Sequence, residues 1–256
     1  AVCCTGMLLL WLACVVMKDV TVIDAWWALG MVVLAASTWL QAGGAPERKL
    51  LLTGLCAVWG LRLGCYLVWR WRTHGMDRRY KAILGHAQKH RGWGFAKASL
   101  LLVFATQAPL QFMVSLPVQL GQIDDQPAAL GPLAWIGAGM AAVGILFETI
   151  GDWQLVRFRS KPENSGRVLN TGLWRYTRHP NYFGDALTWW GIYLVAAETS
   201  MGLWSFIGPV FLTWTLMKWS GAPMLESRLR KTRPDYVAYI EQTSGFVPWP
   251  PRKPSA

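Results

Sequence analysis

Apolar residues concentrate in seven stretches of the chain, at 2–17, 22–40, 50–69, 98–118, 129–150, 183–197 and 202–217, separated by polar and mostly basic connections. Most approach the ~20 residues that a helix needs to cross a hydrocarbon core. The pattern predicts an all-α integral membrane protein with seven transmembrane helices, the first and sixth of them short. No internal repeat, low-complexity tract or long linker interrupts it, so residues 1–256 are expected to form one membrane domain ending in a Pro-rich polar tail from Pro248. The first stretch lacks a basic leader and reads as a span, not a cleavable signal.

Composition agrees: 53% of residues are hydrophobic and 15% charged, with 17 tryptophans, whereas about a quarter of a soluble domain is charged. Charge then orients the bundle. Of the 25 basic residues, 22 fall in the first, third and fifth connections or after the seventh stretch. Arg48 and Lys49 lie on the other side with Asp124, Asp125 and Glu198, and Arg62 lies within a stretch. The positive-inside rule therefore predicts a cytoplasmic C-terminus and an N-terminus outside. The net charge of +11 suits anionic lipid heads or an anionic cofactor. Short basic loops alternating with spans argue against nucleic acid. The five cysteines sit in apolar segments without CxxC spacing, so neither a disulfide framework nor a metal site is expected. His86 and His90 read as the solvated face of a loop.

The run Gly172–Asp185 carries the densest chemistry. Arg175, Arg178, His179, Asn181 and Asp185 gather where the chain enters the sixth stretch. Pro180 has no N–H and disfavours helix at His179, which predicts a helix start there. Asn181 and Asp185 then share one face. A helix N-terminus flanked by Arg178 and His179 suits a phosphate-bearing ligand. A topology anchor would explain Arg175 and Arg178 but not Asn181 or Asp185. Further ionisable groups lie inside spans, where each costs roughly 2.5–3.5 kcal/mol and seeks a cavity or partner. Asp24 opens the second span, Arg62 and Tyr66 lie one turn apart in the third, and Glu148 and Asp152 close the fifth. Gln107 and Gln111 read as interhelical glue. Asp24 with Arg62 as a buried ion pair is the purely structural alternative. Glycine-rich nucleotide loops, a nucleophile elbow and H-E-x-x-H are all absent, which removes soluble nucleotide-binding units, serine hydrolases and zinc proteases.

Gly172–Asp185, with Asp152-Trp153-Gln154 upstream and Gly221-Ala222-Pro223-Met224-Leu225-Glu226 downstream, resembles the steroid 5α-reductase superfamily. Asp77-Arg78-Arg79-Tyr80 resembles its bacterial branch. The resemblance implies a seven-helix reductase of a bacterial inner membrane that uses NADPH to saturate the 4,5 double bond of a 3-oxo-Δ4-steroid or related polycyclic enone. Residues 1–118 would then be mainly substrate-side, and 129–256 mainly cofactor-binding. Asn181-Tyr182-Phe183-Gly184-Asp185 matches a family Asn-Tyr-Phe-Gly-Glu, with aspartate in place of glutamate. Asp152 matches a family aspartate, Glu148 stands at a position of asparagine, and Arg159 lies near an arginine preceding Lys-Pro, here Lys161-Pro162. Arg157, Arg167, Arg175, Arg178 and His179 are further implied cofactor contacts, since guanidinium forks bind phosphate oxygens bidentately. Glu226 falls near a family histidine.

For the substrate, the resemblance implies an acid on the second helix and a tyrosine on the third, here Asp24 and Tyr66, with Arg62 beside them. Hydride addition at C5 builds negative charge on the carbonyl oxygen, which such donors stabilise. The alternative is an isoprenylcysteine-carboxyl-type methyltransferase using S-adenosylmethionine, whose C-terminal half also carries Arg-His-Pro-x-Tyr-x-Gly. A non-catalytic sterol or lipid binder is the third reading, and a monomer is compatible with all three.

Overall fold

The computed structural model describes residues 2–219 and 221–252; Lys253, counted above with the basic residues, lies outside them. The described chain is all-helical, its one β-type contact being an isolated bridge between Thr177 and Ser244. In order, the helices are α1 (Val2–Met17), α2 (Val22–Gln41), α3 (Pro46–His74), α4 (Arg78–Arg91), α5 (Phe95–Val114), α6 (Leu116–Leu120), α7 (Pro132–Arg159), α8 (Pro180–Ala196), α9 (200–219, with a second part at Ala222–Thr232) and α10 (Tyr236–Gln242). Proline stands in the first turn of α3, α6, α7 and α8, where its missing N–H costs nothing. Gly75, with φ 67°, ends α3.

Among the described residues, five helices are long and apolar enough to cross a membrane: α2, α3, α5, α7 and α9. At 16 and 17 residues, α1 and α8 fall short of the usual length. Trp135, Ile136, Val143 and Leu146 on α7 are exposed, as expected of side chains that face lipid. Two helices depart from the sequence reading. The segment after His74, expected to be a polar loop, forms α4, because Asp77 caps it through the Arg79 amide and Gly92 stops it in the left-handed conformation at φ 63°. The fifth span also runs on to Arg159, so Asp152, Arg157 and Arg159 project from a helix and not from a loop.

Two buried clusters organise the interior. One joins α2, α3, α7 and α8 around Trp59, Trp189, Leu52 and Ile192. The other packs Tyr80, Leu84 and Ala87 of α4 against α1, α2 and α5. The tightest contact is α7 against α8. Gly137, Gly144 and Gly151 repeat every seven residues on α7, as do Gly184 and Gly191 on α8. A Cβ on Gly184 would stand 2.5 Å from the Glu148 amide nitrogen, and one on Gly144 would stand 2.5 Å from that of Thr188.

The two ends of the bundle are closed differently. At one end, fully buried Arg48 of α3 donates to the carbonyls of Pro127 (2.8 Å) and Ala129 (3.3 Å) and to Glu198 (3.3 Å). Glu198 also accepts from the Gly131 and Ala134 amides at 3.0 and 2.9 Å, satisfying free N–H groups at the start of α7. Burial works to raise the Glu198 carboxyl, but these donors outweigh it and hold it below the usual glutamate value. The opposite end gathers the C-terminus of α3, α4, the N-terminus of α8 and most of the basic residues.

Two outcomes follow from this packing. Gly184→Leu should abolish the folded species, since overpacking costs ~1–3 kcal/mol even where neighbours are flexible side chains and here the neighbour is backbone. A monodisperse elution profile in detergent at normal yield would contradict it. Because the Glu198 value is depressed in the folded state, its contribution is complete above the unfolded value of about 4.3 and disappears as pH falls through the lower folded value. Melting temperature should therefore drop on acidification below about pH 5, and Glu198→Gln should lower the neutral-pH value and flatten the slope.

Candidate functional site

Two polar clusters lie within the helices. The first forms where α3 meets the glycine-lined α7–α8 pair. Glu148 and Asp152 are four residues apart on α7, as are Asn181 and Asp185 on α8, so each pair presents one face. Arg62 of α3 lies between them, with Nη1 2.8 Å from Asp152 Oδ2 and Nη2 in contact with Glu148 Oε2. Trp59 Nε1 donates to Glu148 at 3.1 Å, and Asn181 Nδ2 donates to Asp152 at 3.3 Å. Asp185 Oδ1 is buried without a partner. Three carboxylates thus surround one guanidinium. Glu148 and Asp152 are committed to Arg62, while Asp185 keeps a free acceptor able to receive an amide or hydroxyl N–H or O–H. Among the described residues no His, Cys, Asp and Glu group has a metal-holding arrangement.

The second cluster centres on Asp24 in the first turn of α2. Its Oδ1 accepts from the Tyr80 hydroxyl at 2.6 Å, and its Oδ2 accepts from Arg79 at 2.7 Å and Arg70 at 3.2 Å. Gln107 Nε2 donates to the Tyr80 oxygen at 3.2 Å. Burial first, and then the Asp24 charge, push the Tyr80 phenol well above the usual tyrosine value. Tyr80 therefore stays protonated and donates. Arg62 does not pair with Asp24, which removes the ion pair considered from sequence. Nor is Tyr66 the hydroxyl on Asp24: it stacks on Trp69 at a 6.0 Å centroid distance among the charges of Asp152, Arg70, Arg159 and Arg62. Asp24 accepts three hydrogen bonds, so the proton available here is that of Tyr80.

The basic residues implied as cofactor contacts divide into three groups. Arg178 is engaged by the fold: Nε and Nη2 reach Glu226 at 2.8 and 3.4 Å, and Nη1 donates to the carbonyls of Ile240 (3.1 Å) and Thr243 (2.7 Å). His179 is buried, stacks on Tyr182, and places Nε2 2.9 Å from Glu226 Oε1. Together Arg178, His179 and Glu226 clasp α9 and α10 onto the start of α8. Arg157 points outward over the ring of exposed Trp153 at 5.4 Å. Arg167 and Arg175 line a 670 Å³ surface cleft beside α10 with Arg252. Arg159 and Arg178 both line the pocket that Asn181 enters, but of the two only Arg159 is without an ion-pair partner among the described residues. It shares one 80 Å³ pocket with Asn181, Arg233 and Tyr236, and a wider 510 Å³ pocket with Lys161, Arg228 and Arg233. Asn181 thus joins the cluster inside the helices to a cation-lined opening at the basic end.

Sequence reasoning missed Tyr80, Arg70 and Arg79 at Asp24, and Arg228 and Arg233 at the opening. A signal for Tyr80 existed: Asp77 is a helix-capping residue, and Tyr80, Leu84 and Ala87 follow at helical spacing. Nothing local marks Arg233, which reaches the pocket through tertiary folding alone.

The chain is 22% identical over 232 residues to an uncharacterized protein of Schizosaccharomyces pombe, an alignment that spans 80% of this chain and 64% of that relative. The chain therefore covers just under two thirds of the relative's length. No solved structure matches it. The model of the DUF1295 family, described as a protein of unknown function, matches residues 10–243. By that match the chain belongs to DUF1295, a family related to steroid 5α-reductase-like membrane proteins.

Proposed function

We propose that this protein is an NADPH-dependent membrane reductase of a conjugated enone, with a 3-oxo-Δ4-steroid or a related polycycle as substrate. The observation that carries this reading is the passage from Asp185 and Asn181, through Arg159, to the unpaired cations Lys161, Arg228 and Arg233. A ligand with a polar amide at one end and phosphates at the other fits that sequence of groups. Asp185 Oδ1 lacks a partner, and no acid faces the guanidiniums of Arg159, Arg228 or Arg233 in an ion pair among the described residues. S-adenosylmethionine has no phosphate and leaves those cations unused. In this reading seven helices span the membrane, with the N-terminus outside and the basic end in the cytoplasm of a bacterial cell.

NADPH, when bound, would supply the hydride to C5, and water would supply the proton that C4 takes up to complete the saturated bond. The chain's residues do the rest. Arg159, Arg228, Arg233 and Lys161 hold phosphate oxygens, and Asp185 and Asn181 hold the carboxamide. Arg62 keeps Glu148 and Asp152 aligned across α3, α7 and α8. Arg178, His179 and Glu226 position the start of α8 and leave phosphate binding to other cations. As substrate enters, Tyr80 turns its single O–H from Asp24 Oδ1 to the substrate's carbonyl oxygen and hydrogen-bonds it as negative charge develops there. Asp24 orients Tyr80, with Arg70 and Arg79 balancing its charge.

Thermal shift of the detergent-purified protein tests the cofactor. NADPH should raise the melting temperature more than NADH, and S-adenosylmethionine should do nothing, because only a ligand of the folded state stabilises it. Arg159→Gln with Arg233→Gln should weaken NADPH at least about tenfold, as lost charged hydrogen bonds of ~1.5–3 kcal/mol require. Stabilisation by S-adenosylmethionine alone would transfer the protein to the methyltransferases.

Tyr80→Phe tests the chemistry. Turnover of a 3-oxo-Δ4-steroid should fall ~10²–10³-fold, the cost of one lost oxyanion donor, with NADPH-dependent stabilisation intact. Tyr66→Phe should stay within severalfold of the parent. The reverse ranking would place the donor on α3.

A further inference from the structure

A basic helix bridges two membrane-type helices at the basic end. α4 spans 14 residues, about 21 Å at 1.5 Å per residue, between the end of α3 at His74 and the start of α5 at Phe95. Its inner face, Tyr80, Leu84 and Ala87, is buried. Its outer positions include exposed Arg78, Lys81, Lys89 and Arg91, continued by exposed Lys97. From Arg78 to Ile123 the sequence has six basic residues and no acid. Of those six, only Arg79 forms an ion pair among the described residues. The others have no protein counter-charge.

Aromatic rings accompany the cations. Arg91 and Lys97 each lie 5.0 Å from the centre of the Trp93 ring, and Lys18, at the end of α1, lies 5.5 Å from that of Phe95. Tryptophan beside lysine and arginine at the ends of spans is the composition of a bilayer interface. Unpaired cations there face the phosphate layer, where each is worth about 1 kcal/mol against an anionic leaflet. A helix with an apolar face and a strongly basic one lies in that plane.

We propose that the outer face of α4 docks on the headgroups of anionic phospholipids, and that this contact holds Arg79 and Tyr80 against Asp24. The link to Asp24 is short. Arg79 and Tyr80 occupy the first turn of α4 and both reach Asp24, and the Asp77 amide ahead of that turn donates to Thr21 Oγ1 at 2.9 Å. Without anionic headgroups, five unpaired cations repel one another along one short segment, and the helix loosens from its first turn. The docking stands whether or not the protein reduces an enone, because it is read from exposed charge and not from the interior clusters.

Hydrogen–deuterium exchange of the full chain in nanodiscs tests it. Discs of phosphatidylcholine alone are compared with discs containing one third phosphatidylglycerol, and the readout is exchange of the 78–91 amides. Phosphatidylglycerol should slow exchange about tenfold, as two or more surface cations gaining ~1 kcal/mol each allow. The effect should shrink as salt is raised. The combined variant Lys81→Gln, Lys89→Gln, Arg91→Gln and Lys97→Gln should exchange at the same rate in both lipids. If that variant does not fold, the salt series on the unaltered chain decides alone. Identical exchange in the two lipids, or a phosphatidylglycerol effect that persists at high salt, would overturn the assignment and leave the face for an acidic protein partner.

Discussion

Helices α7 and α8 meet backbone to backbone, and the interior chemistry depends on that approach. In a membrane, lipid is as apolar as leucine, so packing alone must hold helices together, and small residues let main chains come close. The seven-residue glycine repeat does this along both helices and thereby fixes their register. Register decides which polar groups meet. With Gly184 against the Glu148 amide, Asn181 falls beside Asp152 and Asp185 falls one turn deeper. A slip of α8 by one helical turn would part Asn181 from Asp152 and carry Asp185 away from Arg62, leaving a buried carboxylate uncompensated at several kcal/mol. The glycines and the charges therefore enforce the same arrangement.

Much of this architecture is legible in the sequence, and what is not has a physical reason. Apolar runs betray helices inside a membrane because each span must satisfy its own backbone locally. Pro180 likewise marks the start of α8 from local geometry alone. Partners between helices are a different matter. Asp24 and Arg62 both sit in apolar stretches and invite pairing, yet Arg62 meets α7 and Asp24 meets α4. Tyr66 stands out in the sequence because it lies in a span, and α4 does not because its composition is polar. An amphipathic helix at a membrane boundary is necessarily polar on one side. Tyr80 belongs to the other side, buried over Asp24.

Arg159 and Arg178 stand nineteen positions apart, and the two show why a count of arginines misleads. Composition treats them alike, as it does Arg48 and Arg62. Burial distinguishes them. Arg48 is fully buried, and Arg62 and Arg178 are largely so; each has carboxylates or carbonyls supplied by the fold, because an unpaired charge in such a place is prohibitively expensive. Each fastens elements that come from distant parts of the chain: Arg48 the α3 start to the α7 and α8 ends, Arg62 the middle of the bundle, Arg178 the C-terminal helices. A guanidinium so engaged has its charge already compensated by the fold, which leaves it little attraction for an anionic ligand.

Arg159, Arg228 and Arg233 lie beyond the apolar layer, where solvation makes an unpaired cation tolerable. Water supports them there, and under the proposed function phosphate oxygens would replace that hydration, an exchange that forked guanidiniums favour. The same economy explains the shape of the opening. Among the described residues, Asn181 touches both regimes, donating to Asp152 within the helices while lining the pocket that Arg159 and Arg233 share. A neutral amide can occupy that boundary where a charge on either side would be pulled into an ion pair. Its position on α8 is set by the glycine contact below it and the Arg178 clasp above it, so the two structural devices together hold open the path between the acidic interior and the cationic mouth.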